Sequence, residues 1–184
     1  MEKFLEFLDI EGCEYEIKDG AVIVLDRFAP YESHFKNIVI PENTDFKRGL
    51  DLENYIGEIQ LPENLTVARL LNLETTNTKR LPSDLTIYDD CSVYLDAYQI
   101  KNVSYSYNCG FRGRTIFAFW ANDDFLIAAG CFAGTYSEFV ERVNDVYHLY
   151  KMMATEYKRK ARGCISRLAK KLGKPDPFKK ATAN

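Results

Sequence analysis

The residues of this 184-residue chain that could do chemistry are two histidines, five cysteines and a set of clustered arginines and lysines. Any Cys–His catalyst would have to use His34 or His148, and the best-placed thiol is Cys131, near the start of a helix whose dipole favours a thiolate. His148 falls further along that same helix, roughly 20 Å away at 1.5 Å per residue, too far for a hydrogen-bonded dyad within it. Cys13, Cys91, Cys109, Cys131 and Cys164 are odd in number, widely spaced and form no CxxC or CxxH group, which reads as free and mostly buried thiols, Cys131 among them. There is no glycine-rich phosphate loop, no HExxH, no GxSxG and no pair of histidines at metal spacing. The expectation is a non-enzymatic protein without metal or cofactor, with a cysteine-dependent enzyme using Cys131 as an alternative.

Anion binding is the other chemistry within reach. Cys109-Gly110-Phe111-Arg112-Gly113-Arg114 sets two guanidinium groups beside glycines that permit close approach, so Arg112 and Arg114 could hold a phosphate or carboxylate bidentately. The plainer reading is a hairpin turn whose arginines pair with Asp123, Asp124 or Glu138. Residues 151–184 carry eleven Lys or Arg against two acids, roughly +9, which leaves about −12 on the remainder behind a total of −3. Lys158, Arg159, Lys160, Arg162, Arg167, Lys170 and Lys171 are the nucleic-acid-binding candidates. The same segment could instead dock against the acidic repeat region or a partner protein, or stand as a solvated tail. Asp45, Asp51, Glu53, Glu58, Glu63, Glu74, Asp84, Asp89 and Asp90 could imitate phosphates, although mimics usually carry a more extreme charge.

These residues need elements to position them, and the clearest signal is a repeat of twenty residues. Leu61-Pro62-Glu63-Asn64-Leu65-Thr66-Val67 returns as Leu81-Pro82-Ser83-Asp84-Leu85-Thr86-Ile87, and Leu71/Leu73 as Cys91/Val93. A degenerate copy from Ile40-Pro41-Glu42-Asn43 brings Phe46, Leu50 and Leu52 to similar offsets. A fixed short period is the mark of a solenoid. Glu2–Leu8 as a helix, followed by a hairpin through Asp19-Gly20, supplies an atypical first cap. After Val103 the period is lost: three antiparallel strands are predicted around Tyr105, Thr115–Trp120 and Phe125–Ala129. Thr135-Tyr136-Ser137-Glu138 is a capping box opening a helix with Phe139, Val143, Val146, Tyr147 and Tyr150 on one side. A second helical stretch places Met153, Tyr157, Ala161, Cys164, Leu168 and Leu172 together before Gly173 and Pro175 end it. The fold class is α+β: a short β-solenoid of leucine-rich-like repeats, a small antiparallel sheet and C-terminal helices. The divisions are 1–103 for cap and solenoid, 104–150 for strands and helix, and 151–184 for the basic helix and tail.

The LPxxLTVxxxLxLxxT repeat, followed by Cys109-Gly110, Arg114-Thr115-Ile116 and Ala129-Gly130-Cys131-Phe132-Ala133-Gly134-Thr135, resembles uncharacterised bacteriophage-encoded proteins over about residues 40–150. Ala68-Arg69 and Asp89-Asp90 depart from the pattern where glycines are common. A cytosolic location is expected because Met1-Glu2-Lys3-Phe4-Leu5-Glu6 lacks the basic start and long apolar core of a signal peptide; the resemblance implies a context, which would make this the host-cell cytoplasm, and no activity. There the expected role is binding and modulating or inhibiting a host or phage protein complex, a host-defence complex being one such target. Tyr88, Tyr94 and Tyr98 on the repeat face are the candidate protein contacts, since tyrosine gives large area at low entropy cost. Nucleic-acid binding through the basic helix is the rival. A homo-oligomer is open if a solenoid end pairs with itself. No apolar run approaches the eighteen residues of a membrane helix.

Overall fold

The computed structural model describes residues 1–30, 36–53, 55–110 and 113–179. Helix α1 (Glu2–Ile10) precedes a hairpin of β1 (Tyr15–Lys18) and β2 (Ala21–Val24), closed by the two-residue turn at Asp19-Gly20. The chain then winds through β3 (Asn37–Val39), β4 (Thr44–Phe46), β5 (Leu50–Asp51), β6 (Glu58–Gln60), β7 (Thr66–Val67), β8 (Leu70–Leu73), β9 (Thr86–Ile87) and β10 (Ser92–Leu95). Strands one coil apart pair in parallel: β2, β4, β7 and β9 on one side, β5, β8 and β10 on a second, β3 and β6 on a third. The expected solenoid is present, and its first cap is the helix and hairpin.

Apolar residues stack along the axis because each coil places the same position inward. Phe46, Val67 and Ile87 form one buried column, and Leu50, Leu71 and Val93 another. In one respect the sequence reading is corrected. Leu71 and Leu73 pair with Val93 and Leu95, not with Cys91 and Val93. Leu71 lies four positions after Val67, but Val93 lies six after Ile87, so two extra residues are accommodated in the turn between Ile87 and Ser92. Close matching in residue type upstream at Leu81–Ile87 concealed that insertion.

Both ends of the coil stack are sealed. At the start, Phe4 of α1 packs edge-on against Phe28 and Phe46, at ring separations of 5.6 and 6.3 Å. At the far end two asparagine side chains stand in for a missing rung. The Asn102 amide accepts from the Leu81 N–H at 2.9 Å and donates to its carbonyl at 2.8 Å; Asn122 does the same for Ile87, at 2.8 Å each way. An amide carries one acceptor and two donors in the geometry of a peptide group, so it pairs an open β-edge without offering a new one.

The remaining strands, β11 (Ser104–Cys109), β12 (Arg114–Ala121), β13 (Asp124–Ala129) and β14 (Phe132–Thr135), form an antiparallel sheet in that order. Its two faces differ in register by one residue, as strand alternation requires. Phe117, Phe119, Ala121, Leu126 and Ala128 close the solenoid core, while Ile116, Ala118, Phe125, Ile127 and Ala129 face two helices. These are α2 (Tyr136–Val146), opened by the expected Thr135–Glu138 capping box, and α3 (Lys151–Leu172), which buries Ala154, Tyr157, Ala161, Cys164, Ile165, Leu168 and Ala169. Helix α3 therefore lies on the sheet, and the sheet separates it from the acidic coils.

Candidate functional site

Helix α3 carries eight Lys or Arg and one acid, yet its bases do not all share one face. Three seal the outer edge of the sheet. Lys171 donates to the Val103 carbonyl at 2.6 Å, Arg167 to that of Tyr105 at 2.9 Å, and Lys160 to those of Tyr107 and Asn108 at 3.3 and 2.8 Å. Carbonyls of Val103, just before β11, and of Tyr105, Tyr107 and Asn108 within it thus meet cations spaced along one side of the helix, a way of blunting an exposed strand. Lys158 bonds the Asn144 amide at 2.8 Å, and Arg162 lies 4.8 Å over the Phe178 ring. Arg159 and Lys170 are exposed.

The acids of the coils are similarly occupied. Glu63 accepts from the N–H and hydroxyl of Ser83, both at 2.9 Å, and Asp84 from the Asn64 N–H at 2.8 Å. That backbone bond holds the Asp84 carboxyl below its usual range. Asp51 pairs with Arg27, and Asp90 with Arg69. These four of the nine acids named as phosphate mimics are thus engaged within the fold.

Tyr88, Tyr94 and Tyr98 do not converge on one patch. The Tyr88 hydroxyl accepts from Lys47 at 2.8 Å, and Tyr98 accepts from the Gln99 amide at 3.1 Å, while Tyr94 is half-buried in a groove. Arg112 and His34 lie outside the described residues.

The groove has two hollows that share Arg114. One, of about 350 Å³, is lined by Glu74, Tyr94, Leu95, Thr115 and Gly130. The other, of about 310 Å³, adds Cys131, Phe132, Phe139, Arg142, Val146 and Tyr147. Arg114 opens β12 opposite Cys109, and the glycine of the β13–β14 turn lets it lie close: a Cβ at Gly130, whose φ is +64°, would stand 2.7 Å from the Arg114 Nη1. A Cβ at Gly110 would likewise collide with the Tyr147 hydroxyl. The ion pair expected of Arg114 is not formed among the described residues: Glu138 is held by Thr135 and Asp124 by the Phe125 N–H, and no carboxylate lies within ion-pair distance of Arg114. Beneath the second hollow, Tyr157 packs edge-on against Phe139 and Tyr147 at 5.2 and 5.7 Å. Burial, then the neighbouring Tyr147 and Cys109, push its hydroxyl up to about 12, so it stays neutral.

Cys131 is exposed in the β13–β14 turn, contrary to the expectation of a buried thiol. The cause is local: a two-residue turn between paired strands points outward. His148 Nδ1 lies 2.9 Å from the Asp145 carbonyl, and among the described residues no hydrogen bond joins it to Cys131. The other thiols fit the expectation, Cys91, Cys109 and Cys164 being buried and Cys13 partly so.

Beside the groove, α2 ends at Val146 and α3 begins at Lys151. The Tyr150 N–H donates to the Tyr147 carbonyl at 2.8 Å, and this tight elbow breaks the helical stripe read through Val146 and Tyr150. Val146, Leu149, Tyr150 and Met152 are consequently 56, 77, 52 and 90% exposed. Sequence reasoning missed this cluster and Arg142. The available signal was that Leu149 and Met152 fall off the apolar stripe of either helix. Comparison of the chain with protein-family models, curated proteins and solved structures found no match. Among the described residues there is no cluster of metal-ligating side chains, and no helix is long and apolar enough to cross a membrane.

Proposed function

We propose that this is a non-enzymatic protein-binding module whose contact surface is the α2–α3 elbow and the adjoining groove, with the solenoid as its rigid support. The observation that carries the reading is the exposure of Val146, Leu149, Tyr150 and Met152 within seven residues, a density of large apolar groups that marks interaction sites on proteins. The partner would be a mainly apolar protein segment with acids toward α3, because α3 carries eight bases to one acid, while Glu141 and Asp145 leave the α2 side of the elbow mixed in charge. The resemblance to phage proteins supports a host protein as that partner, and the five free thiols suit the reducing cytoplasm.

Nucleic acid is the second reading, favoured by Arg159, Arg162 and Lys170, which share an exposed side of α3 at helical spacing. The test is affinity capture from host lysate, with and without nuclease, comparing the native chain with L149E/M152E. A stoichiometric protein that survives nuclease and is lost from the double variant supports the elbow. Retention of nucleic acid alone, released by salt, favours the second reading. Self-association abolished by the double variant would instead make a second copy the occupant.

A further inference from the structure

Partner capture at the elbow does not require the hollow between Arg114 and Arg142 to be filled, yet that hollow has the makings of a small ligand site. At about 310 Å³ it is large enough for a single ring or branched chain. Its floor is apolar, made by Phe132, Phe139 and Val143, with Phe139 and Val143 each 2% exposed. Two guanidinium groups reach it and no carboxylate lines it. Arg114 is held there by the glycine turn and lacks an ion pair among the described residues, so its charge is uncompensated where a ligand would lie. Tyr147 also lines the hollow, its hydroxyl lying against Gly110.

We infer that this hollow binds an oxyanion carried on an aromatic or branched aliphatic body. The guanidinium forks of Arg114 and Arg142 would take the anion, by paired N–H donation to its oxygens. The apolar floor would take the body. A free organic acid or phosphate ester and the terminal residue of a peptide share that chemistry.

The test uses the full chain with 3-phenylpropionate, phenyl phosphate and a short peptide ending in phenylalanine, titrated by calorimetry. Neutral 3-phenylpropanol and inorganic phosphate serve as probes lacking one half of the ligand. At least one anionic aromatic probe should bind saturably, at least tenfold more tightly than either half-probe, and the tighter of peptide and free acid identifies the source. R114Q and R142Q should each weaken it tenfold or more, while K170Q, outside the hollow, should not. Because Cys131 lines the same hollow and is exposed, saturating probe should also slow its maleimide labelling. Absence of saturable binding, equal binding of the neutral alcohol, undiminished binding by R114Q/R142Q, or unprotected Cys131 would each overturn the inference. Capture of a partner by the elbow is read separately with L149E/M152E, which leaves both guanidinium groups of the hollow in place.

Discussion

The coils and the layer that caps them solve the same problem by different means. Both must hide the unpaired backbone of an outermost strand. The coils do it with neutral amides, Asn102 on Leu81 and Asn122 on Ile87, while the sheet does it with cations, Lys160, Arg167 and Lys171 on β11. They differ again at the surface. In the coils the exposed large apolar groups, such as Val39, Ile56 and Tyr98, are scattered; in the layer four gather at the elbow. A repeat imposes one residue pattern on every coil and leaves little room for a special site. The aperiodic layer is free to build one, which is why the proposed contact surface is placed there.

The sharpest way to break this contrast is through the shared core. Phe119 is fully buried at the joint between sheet and solenoid. Phe119→Ala should cost about 3–5 kcal/mol, read by urea denaturation, and should unfold both regions in one transition; two separate transitions would show that the layer folds apart from the scaffold. Next is the amide seal. Asn102→Ala removes both bonds to Leu81 and should cost about 1–3 kcal/mol through unsatisfied backbone, with concentration-dependent association by light scattering as the open edge finds a second copy. Replacing Lys171 by Met should cost less, about 0.5–1.5 kcal/mol, because one bond to the Val103 carbonyl is lost rather than two.

The alkaline limb of stability separates the regions further. Burial raises the Cys91 thiol from 9.0 to about 12 in the coils, and burial raises Cys164 to about 11 and the Tyr157 hydroxyl to about 12 in the layer. Folded pKa values above the unfolded ones mean that the unfolded chain sheds these protons first. Their contribution is full below the unfolded values and is lost as pH rises from about 9 toward 12. Melting temperature should fall over that interval, and C91A and C164A should each flatten the fall. The smallest expected effect on stability is at the elbow, where L149E/M152E should shift it by about 0.5 kcal/mol or less.

Much of the fold was legible because it rests on local rules. The LPEN and LPSD corners announced the coils, Asp19-Gly20 the hairpin, and Thr135–Glu138 the start of α2. The register of Cys91 was misjudged because an insertion within a turn leaves no mark on the matching residues either side. The role of the basic helix was not legible at all: the bonds of Lys160, Arg167 and Lys171 join residues more than fifty positions apart. Of the site, Arg114 and Tyr94 were named, but Arg142 and the elbow depend on where α2 stops, which helical spacing alone does not fix.

The claim that the layer binds and the coils support is tested most directly by comparing two surface variants in partner capture, each checked for an unchanged melting temperature. L149E/M152E should lose the captured protein, whereas Y88A/Y98A, on the coils, should retain it at native stoichiometry. Loss from Y88A/Y98A with retention by L149E/M152E would contradict the account and return the binding surface to the repeat.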